Sequence, residues 1–208
     1  SGNLPATANL SITLAGLTTT TQVTEAAADT FVLHDATADD PKLRRWLETL
    51  RGSFDIPPLA IHSSNDFPTS AGLASSASGF AALITAINAH CELGLDHAMC
   101  SEWARMGSAS AARSIFGGFV ALVPPQWWAV PMATKEHWPL EVIVAVTSTE
   151  AKGVSSGEGM ERSRLTSPYY NAWLRDAAAD FTTASDAISS KDFAALGAVA
   201  ELSCLKMH

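Results

Sequence analysis

Three stretches of this sequence carry hydroxyl and guanidinium groups at a spacing that suits a bound anion. The first runs from Phe67 to Gly79 and contains Gly72, which tolerates the positive φ of a tight turn or a close ligand. Ser75 and Ser76 follow at the predicted start of a helix, where unpaired N–H groups and the helix dipole favour a phosphate. An ordinary Ser/Ala-rich loop with a helix cap is the alternative, and composition alone favours it.

The second stretch, Gly107 to Ser114, holds Ser108, Ser110 and Arg113 close together. A guanidinium offers two parallel donors to a carboxylate or phosphate, and hydroxyls add neutral hydrogen bonds. This pattern indicates an oxyanion site. A flexible turn with a surface arginine is the alternative.

The third stretch runs from Lys152 to Met160 and is rich in serine and glycine. It predicts either an anion-binding loop or a plain connection into a helix with Glu158 in its first turn. Lys42 adds a separate positive charge near the start of another predicted helix. A solvated helix lysine is its simplest interpretation.

The elements that must position these groups follow from periodicity and cap signals. Strands are predicted at 10–14, 18–24, 31–33, 58–63, 118–123 and 140–146. A helix with an acidic cap at Asp39-Asp40 and Pro41 in its first turn is predicted through Leu50, and a helix capped by Asp96 is predicted over 96–106. Further helices are predicted over 73–91, 158–165, 168–189 and 191–204. The helix over 73–91 is mostly apolar, which predicts a central, buried position. Mixed strands and helices in this order predict an α+β fold with an antiparallel-rich sheet under helices.

Composition limits the function classes. The chain has 208 residues, 47% of them hydrophobic and 16% charged, as a globular protein does. A net charge of −8 without a basic stripe disfavours a nucleic-acid partner. Three distant cysteines predict free or buried thiols in a reducing compartment, and six scattered histidines disfavour a zinc site. No membrane-spanning run or signal peptide is visible, so a cytoplasmic location is expected.

The first stretch resembles the P-x-x-x-G-L-x-S-S-A phosphate loop of the GHMP kinase superfamily. The matching residues are Pro68, Gly72, Leu73, Ser75, Ser76 and Ala77. The longer string from Asn65 to Ser76 is closer to one branch, the diphosphomevalonate decarboxylases, with mild departures at Asp66 and Ser70. No Gly-Lys-Ser/Thr follows, so the loop is not a Walker A motif. The resemblance implies that Pro68, Ser70, Gly72, Leu73, Ser75 and Ser76 bind the phosphates of ATP.

The second stretch is similar to that branch's G-S-G-S-A-C-R-S segment, which an aromatic residue and Gly-Gly follow. The resemblance implies that Ser108, Ser110 and Arg113 hold the carboxylate and phosphate end of the substrate. Arg113 would orient the carboxylate that leaves as carbon dioxide. Ala109, Ala111 and Ala112 are expected to line the same site.

The third stretch resembles the branch's K-x-V-S-S-x-x-G-M loop, which implies that Ser155, Ser156 and Gly157 lie at the substrate diphosphate. Family members commonly have Arg or Thr where this chain has Gly157. Lys42 stands near a family Arg that reaches the substrate phosphates, and it keeps the charge without the bidentate fork.

The resemblance implies a GHMP-kinase-like two-lobed α+β fold that commonly forms homodimers. The expected lobes are residues 1–125, like ribosomal protein S5 domain 2 and carrying the loop 67–79, and residues 126–208, the start of a helical, ferredoxin-like lobe. It also implies a family catalytic Asp and a Lys-Tyr string in segments beyond these 208 residues. The 208 residues are therefore expected to be a core fragment that is inactive by itself.

The implied reaction is ATP- and Mg²⁺-dependent decarboxylation of mevalonate 5-diphosphate to isopentenyl diphosphate. Gly157 and Lys42 keep open a mevalonate 3-kinase or a phosphomevalonate decarboxylase. A non-catalytic binding protein that kept the fold is the remaining alternative.

Overall fold

The structure is a computed structural model that describes residues 2–67, 75–145, 153–154 and 156–207. It confirms the α+β prediction. The described strands are β1 (Asn9–Ile12), β2 (Thr19–Glu25), β3 (Thr30–Leu33), β4 (Ala36–Thr37), β5 (Leu59–Asn65), β6 (Phe119–Leu122) and β7 (Ala129–Ala133). The described helices are α1 (Pro41–Arg51), α2 (Ser75–His90), α3 (His97–Gly107), α4 (Ser156–Thr166), α5 (Tyr170–Ser190) and α6 (Phe193–Met207), with a 3-10 helix at Ala109–Ile115.

The larger described sheet has the strand order β2-β5-β3-β4. β5 pairs antiparallel with β2 and parallel with β3, so it is a central strand of this sheet. Its register places Thr19 opposite Asn65 and Thr21 opposite Ser63. The strand predicted at 58–63 is confirmed as this central element, which ends beside the stretch that begins at Phe67.

The core lies between this sheet and helices α1 to α3. Leu50 of α1, Leu59 of β5, and Ile84 and Ile87 of α2 are all 0% exposed. Burying a side chain of this size stabilises the fold by about 1.5–3 kcal/mol. The predicted central position of α2 is therefore confirmed, and its packing fixes the direction in which its first turn points.

Asp40 and Asp96 cap two helices, as the sequence predicts. The Asp40 carboxylate accepts hydrogen bonds from the backbone N–H groups of Lys42 and Leu43, and Pro41 occupies the first helical position of α1. Asp96 accepts from the N–H of Met99 at 2.8 Å. Both caps satisfy donors that the first helical turn leaves unpaired.

The second described sheet is antiparallel with the order β1-β6-β7, and it shows one error of the sequence prediction. β7 was not predicted, since Pro131 interrupts the apolar pattern and suits only an edge strand. The strand predicted at 140–146 is wrong for residues 140–145, which form no strand. Val142, Ile143 and Val144 are 52%, 94% and 42% exposed. An apolar, β-branched run makes a strand only beside a backbone partner, and no described strand pairs with this one.

The last three described helices begin and end close to their predicted positions. α5 packs on α6, and Lys206 of α6 lies 3.1 Å from the carboxylates of Asp176 and Asp180 of α5. α4 has no buried residue. β6 and β7 lie on opposite sides of residue 125 and pair with each other, and the predicted division of the chain at that point stays a prediction.

Cys91, Cys100 and Cys204 are free thiols, as predicted. None of the helices among the described residues is long and apolar enough to cross a membrane. The described histidines, cysteines and carboxylates form no group of three that could hold a metal ion.

Candidate active site

The described end of the first stretch is the N-terminal turn of α2. The predicted phosphate contacts Pro68, Ser70, Gly72 and Leu73 lie outside the described residues. Ser75 and Ser76 begin α2, as predicted, and Ser76 is exposed. The helix start therefore presents the Ser76 hydroxyl, together with backbone N–H groups that have no acceptor within the helix.

Ser76 lies beside the second predicted stretch, although the two are far apart in sequence. Its Oγ is 3.4 Å from the Oγ of Ser108, which in turn is 3.4 Å from the Oγ of Ser110. These separations exceed the 2.5–3.0 Å of strong O–H···O bonds, so the three hydroxyls hold one another only weakly. The structure thus brings together a series of neutral donors that can turn toward an oxyanion.

Gly107 allows the chain to enter the second stretch at this place. A Cβ atom on Gly107 would lie 2.2 Å from the Phe80 ring of α2, so no larger residue fits without displacement. Ser108 then ends α3, with its N–H bonded to the Ala104 carbonyl at 3.0 Å, and begins the 3-10 helix. The close contact of α3 with Phe80 is what sets Ser108 opposite Ser76.

Among the described residues, Arg113 is the only arginine with a buried nitrogen atom that lacks a hydrogen-bond partner. This atom is its Nε. Its Nη1 donates to the amide oxygen of Asn9 on β1. No carboxylate among the described residues pairs with it. Burial lowers the pKa of Arg113 from its ordinary value, but a guanidinium remains a cation at neutral pH. The site therefore contains an uncompensated positive charge with an unused donor.

The alanines of this stretch are placed differently from one another. Ala109 and Ser110 are partly exposed, whereas Ala111 and Ala112 are 0% exposed. Ala111 belongs to the core between the larger sheet and the helices, and Ala112 packs with Val120 and Leu122 of β6. The two buried alanines hold the 3-10 helix in place, and this placement does not support direct contact between them and a ligand.

Lys42 lies beside the same part of the molecule through Phe80. Its Nζ is 5.3 Å from the centroid of the Phe80 ring, which also contacts Gly107 and Trp46. Although the residue as a whole is exposed, burial of the amine lowers the pKa of Lys42, while the Asp40 carboxylate acts to raise it. The amine therefore lies over an aromatic face, where a cation is weakly attracted.

The described part of the third stretch comprises residues 153–154 and 156–160. Ser155 lies outside the described residues, and Ser156 and Gly157 are exposed at the start of α4. α4 is not among the elements that pack on α2, α3 or the 3-10 helix. The role predicted for these residues stays a prediction.

Sequence reasoning missed two residues of this region. Asn9 is the described partner of Arg113, and Phe80 separates Gly107 from Lys42. An asparagine at a strand start and a phenylalanine in an apolar helix are common, and neither has a local signal. Only the packing of the distant elements reveals them.

Comparisons with known proteins identify the family. Residues 1–126 match the family described as diphosphomevalonate decarboxylase-like N-terminal domain, and residues 142–208 match the mevalonate 5-diphosphate decarboxylase C-terminal domain. The diphosphomevalonate decarboxylase of Candida albicans is 36% identical over 218 residues, which cover 92% of this chain and 60% of that protein.

Solved structures give the same result. Mevalonate diphosphate decarboxylase from Staphylococcus aureus superposes with a TM-score of 0.85 at 33% identity, over 97% of this chain and 65% of that one. The structure of MDDEF in complex with MVAPP, AMPPCP and magnesium has a TM-score of 0.83 at 35% identity, over 99% of this chain and 66% of that one. The chain thus spans less than two thirds of each of these three relatives. It has the GHMP kinase fold of these structures, and it belongs to the diphosphomevalonate decarboxylase family.

Proposed function

We propose that this protein carries out ATP-dependent decarboxylation of mevalonate 5-diphosphate to isopentenyl diphosphate. Family membership supports the reaction class, and Arg113 is the observation that carries the assignment. Its buried Nε has no partner, and its charge has no carboxylate partner among the described residues. Burying such a group costs free energy unless an anion pairs with its charge and accepts its hydrogen bond. A substrate carboxylate supplies both the charge and the acceptor oxygens.

Arg113 acts here by orientation. The 3-10 helix and the bond to Asn9 fix the guanidinium, so a bound carboxylate has a fixed direction. When bound, Mg-ATP would supply the phosphoryl group that replaces the proton of the tertiary 3-hydroxyl, releasing ADP and making the substituent a phosphate that can leave. As that phosphate leaves, the electron pair of the bond to the carboxylate forms the new double bond, and carbon dioxide departs. Positioning of this kind provides much of the catalysis in such reactions.

The three serines fit the anionic parts of the ligands. Ser76, at the N-terminus of α2, suits the phosphates of the nucleotide, whereas Ser108 and Ser110 lie nearer to the segment that carries Arg113. The described residues offer no cluster of metal-ligating side chains. This fits a magnesium ion held mainly by phosphate oxygens and water, as is usual for this metal.

The ligands of a relative support the same assignment. MDDEF has been solved with MVAPP, AMPPCP and magnesium. We infer that the present chain takes the equivalent ligands, mevalonate 5-diphosphate and Mg-ATP. The cytoplasmic location and the homodimer that the family resemblance implies are part of the same proposal.

One observation favours a second candidate with a less phosphorylated substrate. Gly157 lies exposed at the start of α4 and has no side chain to offer to a diphosphate. A mevalonate 3-kinase or a phosphomevalonate decarboxylase would not need that contact.

Binding of mevalonate 5-diphosphate, measured by isothermal titration calorimetry, tests the role of Arg113. We expect Arg113→Gln to weaken binding by about 10- to 100-fold, since a charge-assisted pair contributes about 1.5–3 kcal/mol. Arg113→Lys should recover only part of the affinity, because an ammonium lacks the bidentate fork. Arg164→Gln is the matched control, since Arg164 is an exposed residue paired with Glu161 on α4. Equal affinities of the Arg113→Gln and Arg164→Gln variants would contradict the assignment.

Product release by the natural polypeptide decides between the candidates. ADP and carbon dioxide are measured with Mg-ATP and either mevalonate, its 5-phosphate or its 5-diphosphate. Equal release of both products with the diphosphate alone supports the main proposal, and release with the monophosphate supports the second candidate. ADP without carbon dioxide indicates a kinase. No turnover with any of the three contradicts the enzyme assignment and favours a non-catalytic binding protein.

A further inference from the structure

Thr19, the first residue of β2, joins the larger sheet to the first turn of α2. Its Oγ1 lies 2.6 Å from the Oδ1 of Asn65, the last residue of β5, and 2.7 Å from the Oγ of Ser78. Ser78 is in the first turn of α2, and its hydroxyl also donates to the carbonyl of Ser75 at 3.3 Å. One threonine hydroxyl thus connects the end of β5 with the beginning of the helix.

This connection can fix the orientation of the first turn of α2 relative to the sheet. The single proton of the Thr19 hydroxyl is shared between the Asn65 Oδ1 and the Ser78 Oγ, and the Ser78 proton is directed to the Ser75 carbonyl. Both distances lie within the range of well-formed O–H···O bonds, whereas the hydroxyl oxygens of Ser76 and Ser108 are 3.4 Å apart. The first turn of α2 is therefore held firmly on its sheet side, while its exposed side stays available to a ligand.

Thr18 is anchored separately. The carboxylate of Asp66 accepts from both the N–H and the Oγ1 of Thr18 at 2.7 Å. This pair joins the residue before β2 to the residue after β5, and it does not involve α2. Of the two neighbouring threonines, Thr19 is the one whose hydroxyl contacts the helix.

We propose that Thr19 is a positioning residue for nucleotide binding, which acts through Ser78 on the first turn of α2. The proposal rests on the proposed function, in which this turn and Ser76 face the phosphates of Mg-ATP. The N–H donors of a helix start are directed along its axis, so a small shift of the turn misplaces them together. Loss of the Thr19 hydroxyl releases the turn without removing any group that contacts the nucleotide.

Thr21 provides a matched control on the same strand and the same face. Its Oγ1 lies 2.9 Å from the Oγ of Ser63, across the same pair of strands. Among the described residues, the Thr21 hydroxyl has no bond to α2. Replacing either threonine by valine removes a cross-strand hydroxyl and keeps a β-branched side chain that suits a strand.

The experiment measures the Kd of Mg-ATP by calorimetry for the natural polypeptide and three variants of it, with urea unfolding in parallel. We expect Thr19→Val to raise that Kd about five- to tenfold, because one hydrogen bond is worth about 1 kcal/mol. Thr19→Ser should restore it to within about twofold of the unaltered chain. Thr21→Val should leave the Kd unchanged while losing similar stability.

Two results would overturn the inference. Equal Mg-ATP affinities of the Thr19→Val and Thr21→Val variants would show that the helix contact has no part in binding. Failure of Thr19→Ser to restore affinity would show that the hydroxyl is not the cause. Failure of the unaltered chain to bind Mg-ATP is a different outcome, which would overturn the proposed function itself and this inference with it.

Discussion

The hydroxyl of Ser76 at the start of α2 lies 3.4 Å from the hydroxyl of Ser108 at the end of α3. The two serines belong to different motifs, and the packing of α2 against α3 brings them together. Under the proposed function, a nucleotide phosphate and an acidic substrate would meet at this point. In-line transfer between two bound ligands requires such proximity.

A comparison of two buried serines tests whether Ser108 is used for binding or for folding. Ser101 is 0% exposed, donates to the Ala112 carbonyl at 2.9 Å and accepts from the Ala129 N–H at 2.7 Å. Ser101→Ala would leave buried backbone groups unpaired, so we expect unfolding free energy to fall by about 1–3 kcal/mol. Ser108→Ala should lose less than about 0.5 kcal/mol but weaken substrate binding about fivefold. Urea unfolding and calorimetry with mevalonate 5-diphosphate measure the two effects. The reverse pattern would make Ser108 a structural residue.

Gly107→Ala is expected to destabilise the protein by about 1–3 kcal/mol, as overpacking of a core does. The new methyl group would lie 2.2 Å from the Phe80 ring. Gly197→Ala in α6 is the control, because no atom lies within 4 Å of the added carbon and alanine favours a helix. That control should be neutral or slightly stabilising in urea unfolding. Recovery of stability in the double variant Gly107→Ala, Phe80→Leu would identify the ring as the cause.

Lys42 has two interpretations, and a single substitution separates them. If its amine serves the substrate phosphates, Lys42→Met should raise the Kd of mevalonate 5-diphosphate by about tenfold, since charge-assisted bonds are the strong ones. If it is a solvated helix lysine, affinity will not change. Lys135→Met is the control, because Lys135 has a side chain that is 80% exposed and is 3.9 Å from Glu136. The position of the amine over Phe80 favours the first outcome.

The sequence predicts local features of this fold better than distant contacts, for physical reasons. Asp40 and Asp96 were predicted as caps because capping depends on residues within one helical turn. The failed strand at 140–145 and the unpredicted β7 show the opposite case. A strand is stable only with its neighbour, and neither an apolar run nor Pro131 in an edge strand reveals which neighbour is present.

The same limit applies to the candidate site. Two motifs and a family resemblance predict Ser76, Ser108, Ser110 and Arg113 as site residues, and the structure places the three serines together. Their roles as ligands remain predictions. The sequence does not predict a role for Thr19, because a threonine at the start of a strand has no unusual local signal. Its importance depends on Ser78, which lies 59 positions away.

Asp29 and Arg51 provide a prediction about pH. Two bonds of 2.6 and 2.8 Å join the carboxylate to the guanidinium, and Asp29 also accepts from the N–H of Leu59 at 2.9 Å. The pair therefore links the end of α1 to the sheet. Both side chains are about one quarter exposed, 27% for Asp29 and 26% for Arg51. We expect Asp29→Asn to lower the unfolding free energy at neutral pH by about 1–2 kcal/mol, more than for an exposed pair.

The hydrogen bond from Arg51 lowers the pKa of Asp29 below its ordinary value of 3.8, and burial opposes this shift. A carboxyl group whose pKa is lower in the folded state stabilises the fold at pH values above its pKa in the unfolded state. This contribution is lost as the pH falls through its pKa in the folded state. At about pH 7 the unaltered chain should therefore have the larger unfolding free energy, and its difference from Asp29→Asn should shrink as the pH falls below 3.8. Urea unfolding at about pH 7 and pH 3 measures this difference. Asp39→Asn is the control, since Asp39 and Arg44 form a pair with side chains 74% and 55% exposed and should change stability little. A difference between the unaltered chain and Asp29→Asn that is equal at both pH values would mean that the charge of Asp29 does not stabilise the fold.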